Sequence, residues 1–445
     1  MAASGDDGRY IGWGRYPRHA QQAVDMPREA GALPVHATQA GLLAFGNGRS
    51  YGDSCLNGDG GTLLDTRRLN RIVSFDSSSG VIEAEAGVLL GDILRHVLPQ
   101  GWFLPVTPGT KWVTLGGAIA NDVHGKNHHA RGTFGGHVAS FRLLRSSGEH
   151  LDLAADRGDA LFRATIGGLG LTGLITSARV RLIRVESAAI DQDVIRFGGL
   201  AEFFDLARDS DRRFEYSVAW IDQGARGRAM GRGLFIRGNH AAGDRDKIAA
   251  PAYRARLAVP FQPPLALINR PSLALFNFAY WRQQAMGLKR TRVDHDPFFY
   301  PLDKVRDWNR LYGPGGLLQH QSVVPMADGA RVVGELLAAS QRASFASFLT
   351  VLKVFGDAPS PGLLSFPRPG VTLTLDFANT GPRVLSLLDD LDRIVMAAGG
   401  AINPYKDARM APATFALSFP RLGEFMPHID PAFSSSFWRR VNPRG

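Results

Sequence analysis

The sequence predicts an α+β protein of two domains, and three observations lead there. Its 445 residues exceed one ordinary hydrophobic core and suit two domains, or one domain with a large insertion. Between about residues 30 and 185, short apolar runs alternate with Gly-rich turns, with too few helical patterns for a regular βαβ series. From about 188 to 400 the texture shifts to Phe- and Trp-rich runs, Pro-rich connections and two long amphipathic patterns. Hydrophobic residues at 44% and charged residues at 21% are the balance of a folded soluble chain rather than a disordered one.

In the first region "GLLAFG" (41–46), "GGTLLDT" (60–66), "RIVSFD" (71–76) and "GVIEAEAGV" (80–88) read as strands, because apolar and β-branched residues run between turn formers. "LLGDILRHVLPQG" (89–101) has apolar residues at helical spacing and predicts a helix closed by Gly101. "SFRLLRSSGEHLDLA" (140–154) predicts a hairpin turning at Ser147-Gly148, and "GDALFRATIGG" (158–168) a short helix. Gly168, Gly170 and Gly173 spell a dinucleotide fingerprint, but the "ARVRLIRV" that follows alternates like a strand, whereas a Rossmann loop must open a helix. The NAD reading fails, although such a loop still admits a pyrophosphate close to the backbone.

In the second region "FEYSVAWID" (214–222), "GLLQHQSVVP" (316–325), "FASFLTVLKVFG" (345–356) and "GVTLTLDFAN" (370–379) predict strands. "DGARVVGELLAASQRA" (328–343) and "RVLSLLDDLDRIVMAAGG" (383–400) predict amphipathic helices.

Cys55 is the only cysteine, which rules out an intramolecular disulfide or a Cys-based zinc cage and suits a reducing, cytoplasmic setting. The N-terminal residues carry no leader-like pattern, and no long uncharged apolar run is present, so nothing is expected to span a membrane. A formal net charge of +10 suits nucleic acid, anionic lipid or a phosphorylated substrate. Without an RNP, zinc-finger or basic-helix pattern, nucleic acid is set aside. Residues 251–292 hold seven Arg or Lys and no Asp or Glu among Leu, Phe, Tyr and Trp. This mixture fits either a peripheral contact with an anionic lipid surface or a buried segment between domains.

"GNGRSYGD" (46–53) carries two readings. Gly48-Arg49-Ser50-Tyr51-Gly52 matches a serine-hydrolase elbow, with Ser50 as nucleophile, yet the elbow needs a helix after the serine, and "YGDSCLNGDGG" reads as loop. The same small residues supply successive backbone donors for a phosphate cradle. In the second glycine block (105–138), Gly116, Gly117 and Ala118 permit close backbone approach beside the polar "HGKNHH". His124, His128, His129 and His137 fit no familiar zinc spacing, so no metal is assigned.

Together with "GGLGLTGLI" (167–175), these blocks resemble the FAD domain of the vanillyl-alcohol-oxidase (PCMH-type) flavoprotein family. "GWGR" (12–15), "GRSYGD" (48–53), "VTPGTKWVTLGGAIANDVHGKNHH" (106–129), "LYGPGGLLQHQ" (311–321), "VLKVFG" (351–356), "LSFPRPG" (364–370) and "YKDAR" (405–409) look like the branch that oxidises a polyprenyl-phosphate-linked ribose, a likeness running nearly end to end. The resemblance implies an FAD domain at 1–187, a substrate domain at 188–400 and a 401–445 segment returning to the FAD domain. It implies FAD held by Gly46, Asn47, Gly48, Arg49, Ser50, Tyr51, Gly52, Gly109, Thr114, Gly116, Gly117, Ala118, Asn121, His124, Gly125, Asn127 and Ile175. Arg49 stands where many relatives carry the histidine joined to flavin, so the FAD is expected to be non-covalent.

The implied reaction converts the 2′-hydroxyl of a polyprenyl-phosphoryl-β-D-ribofuranose to the 2′-keto sugar, which an NAD(P)H-dependent keto-reductase partner then takes to the arabinose form. The alternative within the fold is oxidation of a soluble sugar, alditol or aldonolactone. The resemblance puts Lys406, His124 and Tyr51 in catalytic positions and Gln319, Gln321, Lys353 and Thr374 against substrate. A cation at Lys406 would stabilise an anionic reduced flavin. From their letters alone, Lys406 reads as a surface lysine and His124 as a structural histidine. Gln319 and Gln321 lie two apart in a strand and so share a face. Lys353 sits in an apolar run where a charge needs a partner, either substrate phosphate or a buried carboxylate. Two departures stand out: Thr374 replaces a cysteine of that branch, and Asn403 a tyrosine.

Overall fold

The computed structural model of the chain describes residues 9–27, 33, 40–243, 248–253, 255, 257–284 and 287–442. Three larger sheets organise them, beside two two-stranded ones. A parallel three-stranded sheet places Thr62–Asp65 between Gln22–Asp25 and Leu42–Phe45. An antiparallel five-stranded sheet runs in the order Ile72–Asp76, Val81–Glu85, Leu174–Arg181, Val138–Leu144, His150–Ala154. The third is an antiparallel eight-stranded sheet, ordered Leu288–Asp294, Ala189–Phe197, Gly233–His240, Tyr216–Ile221, Val351–Phe355, Gly370–Ala378, Leu317–Val324, Ala401–Ile402. Helices and sheets are mixed in the α+β manner the sequence predicts.

Local signals hold where the chain's own chemistry decides the conformation. The helix Leu90–Val97 passes through one 3₁₀ turn and ends at Gly101, whose φ of +75° is the left-handed cap a glycine accepts without strain. The 140–154 hairpin turns at Gly148, and the strand after the 167–173 glycines begins at Leu174. The predicted strand at 345–356 shrinks to Val351–Phe355, because Ser347 and Thr350 are buried in a turn and bond each other at 2.9 Å. The strands Ala189–Phe197, Gly233–His240 and Leu288–Asp294 escape a reading by hydrophobic alternation, because their ladders carry ion pairs. Arg237 meets Asp193 at 3.2 Å, and Arg292 meets Asp191 at 2.7 Å.

The eight-stranded sheet positions the site because its two faces differ. On one face the helices Leu200–Ser210, Gly329–Arg342 and Pro382–Ala397 bury Phe203, Leu336 and Leu391 against Leu352, Leu373 and Phe377. His320 points the same way, its Nε2 at 3.1 Å from Asp392 on the 382–397 helix. Alternate residues, Gln319 and Gln321 on one strand and Thr372, Thr374 and Asp376 on its neighbour, therefore share the opposite face. The segment after 401 reaches the loop at 46–61: Arg440 pairs with Asp53, and Arg439 donates to Gly58 O at 2.7 Å.

Candidate active site

One cavity of about 650 Å³ lies between the glycine loops of the first region and the polar face of the eight-stranded sheet. At one end, the 46–51 loop leaves the 42–45 strand and packs on Thr114, the cap of the helix Leu115–Ala120. No side chain fits there: a Cβ on Gly46 would stand 2.4 Å from Thr114 Oγ1, and one on Gly48, at φ +58°, 2.5 Å from Ile11 O. Gly109 differs, since a Cβ there would meet nothing within 4 Å. Arg49 stacks on Trp13, its Cζ 4.4 Å from the ring centre, and its buried Nε has no hydrogen-bond partner. Ser54 Oγ is likewise buried and unpartnered. Bare backbone beside orphaned donors fits the pyrophosphate and polar edges of FAD. Residues 46–61 contain no helix, so Ser50 lacks the helix that a nucleophile elbow requires.

The sheet end gathers the other predicted residues. Gln321 Nε2 lies 3.0 Å from His124 Nε2, and Lys353 Nζ 3.2 Å from His124 Nδ1. Lys406 Nζ sits 3.9 Å from the centre of the Tyr51 ring. Burial, with Lys353 close by, holds His124 well below the usual imidazole range. Burial and the neighbouring Lys126 and Lys406 bring Lys353 down to about 7; burial brings Lys406 down to about 8, against the attraction of Asp376. Among the described residues no carboxylate pairs with Lys353, so the buried carboxylate that was one of its two expected partners is not found there.

Three expected cofactor residues do not reach the cavity wall. A Cβ on Gly52 would stand 1.6 Å from Asp407 O, which makes this glycine a packing contact between the cradle and the 405–408 segment. Ala118 is wholly buried in the core of the first region. Asn127 turns inward to donate to Pro105 O at 2.8 Å. Gly46, Asn47, Gly48, Arg49, Ser50, Tyr51, Gly109, Thr114, Gly116, Gly117, Asn121, His124, Gly125 and Ile175 all line the cavity, as do Gln319, Gln321, Lys353, Thr374 and Lys406.

Sequence reading missed Asp376. It lies two residues beyond Thr374 on the same face, fully buried, and accepts from Gln319 Nε2 at 2.5 Å. Burial pushes its carboxyl up to about 7, against the Gln319 hydrogen bond and the nearby Lys406. The period of two that paired Gln319 with Gln321 applies equally to Thr374 and Asp376 and would have found it. The second departure acquires a place: Asn403, wholly buried, donates to Gln321 Oε1 at 2.9 Å.

Residues 16–154 match the FAD binding domain family. The chain is 36% identical to the decaprenylphosphoryl-β-D-ribose oxidase of Mycolicibacterium smegmatis, over 97% of each chain. More distant similarity reaches the D-lactate dehydrogenase of Anaerostipes hadrus, at 28% identity over 29% of each chain. It extends to the D-arabinono-1,4-lactone oxidase of Eremothecium gossypii, at 24% over 36% of this chain and 30% of that one. Fold and cavity thus define an FAD-dependent oxidoreductase of the vanillyl-alcohol-oxidase type, acting on CH–OH groups. Within that class, the chain belongs to the decaprenylphosphoryl-β-D-ribose oxidase family.

Proposed function

We propose that this enzyme oxidises the 2′-hydroxyl of a polyprenyl-phosphoryl-β-D-ribofuranose to the 2′-keto sugar, the first half of its epimerisation to an arabinofuranose donor. The observation that carries the reading is a single cavity joining a glycine cradle to a sheet face lined by Lys353 and Lys406, with Lys126 beside them. Such a site suits a flavin at one end and an anionic sugar phosphate at the other. FAD, when bound, supplies the two-electron acceptor for the hydride of the oxidised carbon. Arg49 and the 46–51 backbone would hold the cofactor without a covalent link, and Tyr51 and Lys406 bring a ring and a cation to the same cavity. Lys406, balanced by Asp376, stabilises negative charge that develops beside it. Gln319 and Gln321 orient the sugar hydroxyls.

The 251–292 stretch supports a peripheral contact with anionic lipid. The helix Arg270–Gln283 turns Leu275 (71% exposed) and Phe278 (51%) outward, while Asn277 is buried and donates to Asp222 Oδ1 at 3.0 Å. A segment buried between domains would show the reverse. Tyr280, on the same helix, lines the cavity, so the helix borders the site. Among the described residues no helix is long and apolar enough to cross a membrane. An NAD(P)H-dependent keto-reductase partner completes the epimerisation.

The test is the absorption spectrum of the purified protein before and after acid precipitation, then anaerobic addition of a polyprenyl-phosphoryl ribose. Flavin that passes into the acid supernatant, and bleaches with this substrate but not with free ribose, alditols or aldonolactones, is expected. Bleaching by the free sugars alone would replace the lipid-linked substrate with a soluble one. A colourless protein that takes up no FAD would overturn the reading.

A further inference from the structure

The hydrogen bonds around His124 have a polarity that one backbone amide sets. The Tyr405 N–H donates to Asn403 Oδ1 at 3.2 Å, and a peptide N–H is a donor in every circumstance. Asn403 must therefore turn its Nδ2 outward, where it donates to Gln321 Oε1 at 2.9 Å. Gln321 is oriented in turn, and its Nε2 donates to Thr372 Oγ1 at 3.2 Å and toward His124 Nε2 at 3.0 Å. His124 Nε2 is then an acceptor. Its surroundings hold the ring neutral, so the ring proton sits on Nδ1.

That N–H faces Lys353 Nζ at 3.2 Å, with Gly125 O at 3.5 Å the more distant acceptor. Two donors cannot share this contact. An ammonium has no lone pair, so the amine must carry one. We propose that Lys353 stands in the resting site as a neutral amine whose lone pair accepts from His124 Nδ1–H, and that it is the group that receives the proton of the substrate hydroxyl. Asn403 acts as a positioning residue, fixing this polarity through Gln321 and His124.

The electrostatics point the same way. The charged and titratable groups facing Lys353 are Lys126 and Lys406, both cationic, with the imidazoles of His124 and His128. Among the described residues its only further protein acceptor is Gly125 O at 3.4 Å. In the reaction the hydroxyl O–H bond breaks and its proton passes to the lone pair of Lys353 Nζ, which is released as His124 Nδ1–H turns to Gly125 O, its other acceptor at 3.5 Å. FAD, when bound, would take the C–H electron pair as hydride as the C=O double bond forms. Lys353 and Lys406 thereby divide the work: the first accepts a proton and the second remains the cation. This division rests on the oxidase reading, but the state of Lys353 does not, and it can be measured without flavin turnover.

Trace acetylation of the purified enzyme with acetic anhydride, resolved by peptide mass spectrometry across the neutral and alkaline range, reports the fraction of each lysine that is neutral. Lys353 is expected to react with a midpoint near neutrality, about three units below an ordinary lysine. In Asn403→Asp the new carboxylate accepts from Tyr405 N–H and demands a donor from Gln321. The Gln321 amide turns over, His124 donates from Nε2, and Nδ1 accepts from Lys353, whose midpoint should rise by more than about one unit. Asn403→Ala adds no charge and frees Gln321 to turn, so it should move the midpoint in the same direction by a smaller amount. A wild-type midpoint in the ordinary lysine range overturns the proposal, whichever variants fold. So does a midpoint that neither substitution moves. Loss of substrate turnover with the labelling pattern intact would instead count against the assigned reaction.

Discussion

At the level of single residues, the site is a set of buried cations whose protonation sets its pH response. Lys406 is held down to about 8, so its ammonium is present below that pH and is lost as pH rises through it. Flavin reduction by substrate is expected to slow over that interval in stopped-flow traces. Lys406→Arg, which does not deprotonate, should remove this alkaline decline, while Lys406→Met should keep its flavin but reduce it roughly 10²–10³-fold more slowly, the scale of a lost charge-stabilising donor. A slope at alkaline pH that survives in Lys406→Arg would assign the effect elsewhere. Thr374 makes a chemical prediction of its own. It lines the cavity, so thiol-directed electrophiles shaped for this site should leave no adduct there, and Thr374→Cys should acquire one, read as a mass increase on that peptide.

Elements carry two further expectations. The 270–283 helix turns its polar Asn277 inward beside Leu273, while Leu275, Phe276 and Phe278 face outward. It is held by that polar contact, by Tyr280 against Trp220 at 4.8 Å, and by Trp281, which lies between Arg196 and Arg232 with Cζ distances of 4.2 and 4.3 Å. Leu275→Glu with Phe278→Glu should therefore abolish co-sedimentation with phosphatidylglycerol vesicles while leaving the melting temperature within about a degree, since exposed sites cost little. Unchanged sedimentation would place the contact on another face. The cradle loop makes the opposite case. Gly52→Ala drives a methyl into Asp407 O, and because Tyr51 N also bonds Tyr405 O at 3.0 Å, the loop would lift off the segment carrying Lys406. Loss of bound flavin on desalting is the expected result.

For the whole molecule, the cost of the site should be visible as stability. Lys126, Lys353 and Lys406 are brought by burial to about 8, 7 and 8, well below the ordinary lysine value they regain on unfolding. Between about pH 7 and the ordinary lysine range the unfolded chain binds more protons than the folded one, so stability rises with pH there. Below pH 7 this destabilisation is fully present. Lys353→Met should thus raise the melting temperature at neutral pH, by about 1 °C for each kcal/mol recovered in a chain of this length, even as it removes activity. A melting temperature that falls instead would mean that the His124 contact stabilises the fold more than burial of the amine destabilises it.

What the sequence determined by itself was whatever depends on near neighbours. The 101 and 148 glycine turns, the strand after the 167–173 glycines, the amphipathic helices at 329–342 and 382–397 and the shared face of Gln319 and Gln321 all follow from spacing and backbone freedom. The family and its FAD were legible in motifs strung along nearly the whole chain. Tertiary structure alone decided which groups meet. Gly52 looked like cradle and proved to be a packing contact, and Asp376 looked like an ordinary strand carboxylate and became the counter-charge of a lysine thirty positions away. The polarity running from Tyr405 through Asn403, Gln321 and His124 to Lys353 crosses four separate stretches of chain. Local patterns record which face a side chain takes, but a hydrogen bond's direction and a buried charge's partner depend on atoms brought together only when the sheets and loops pack.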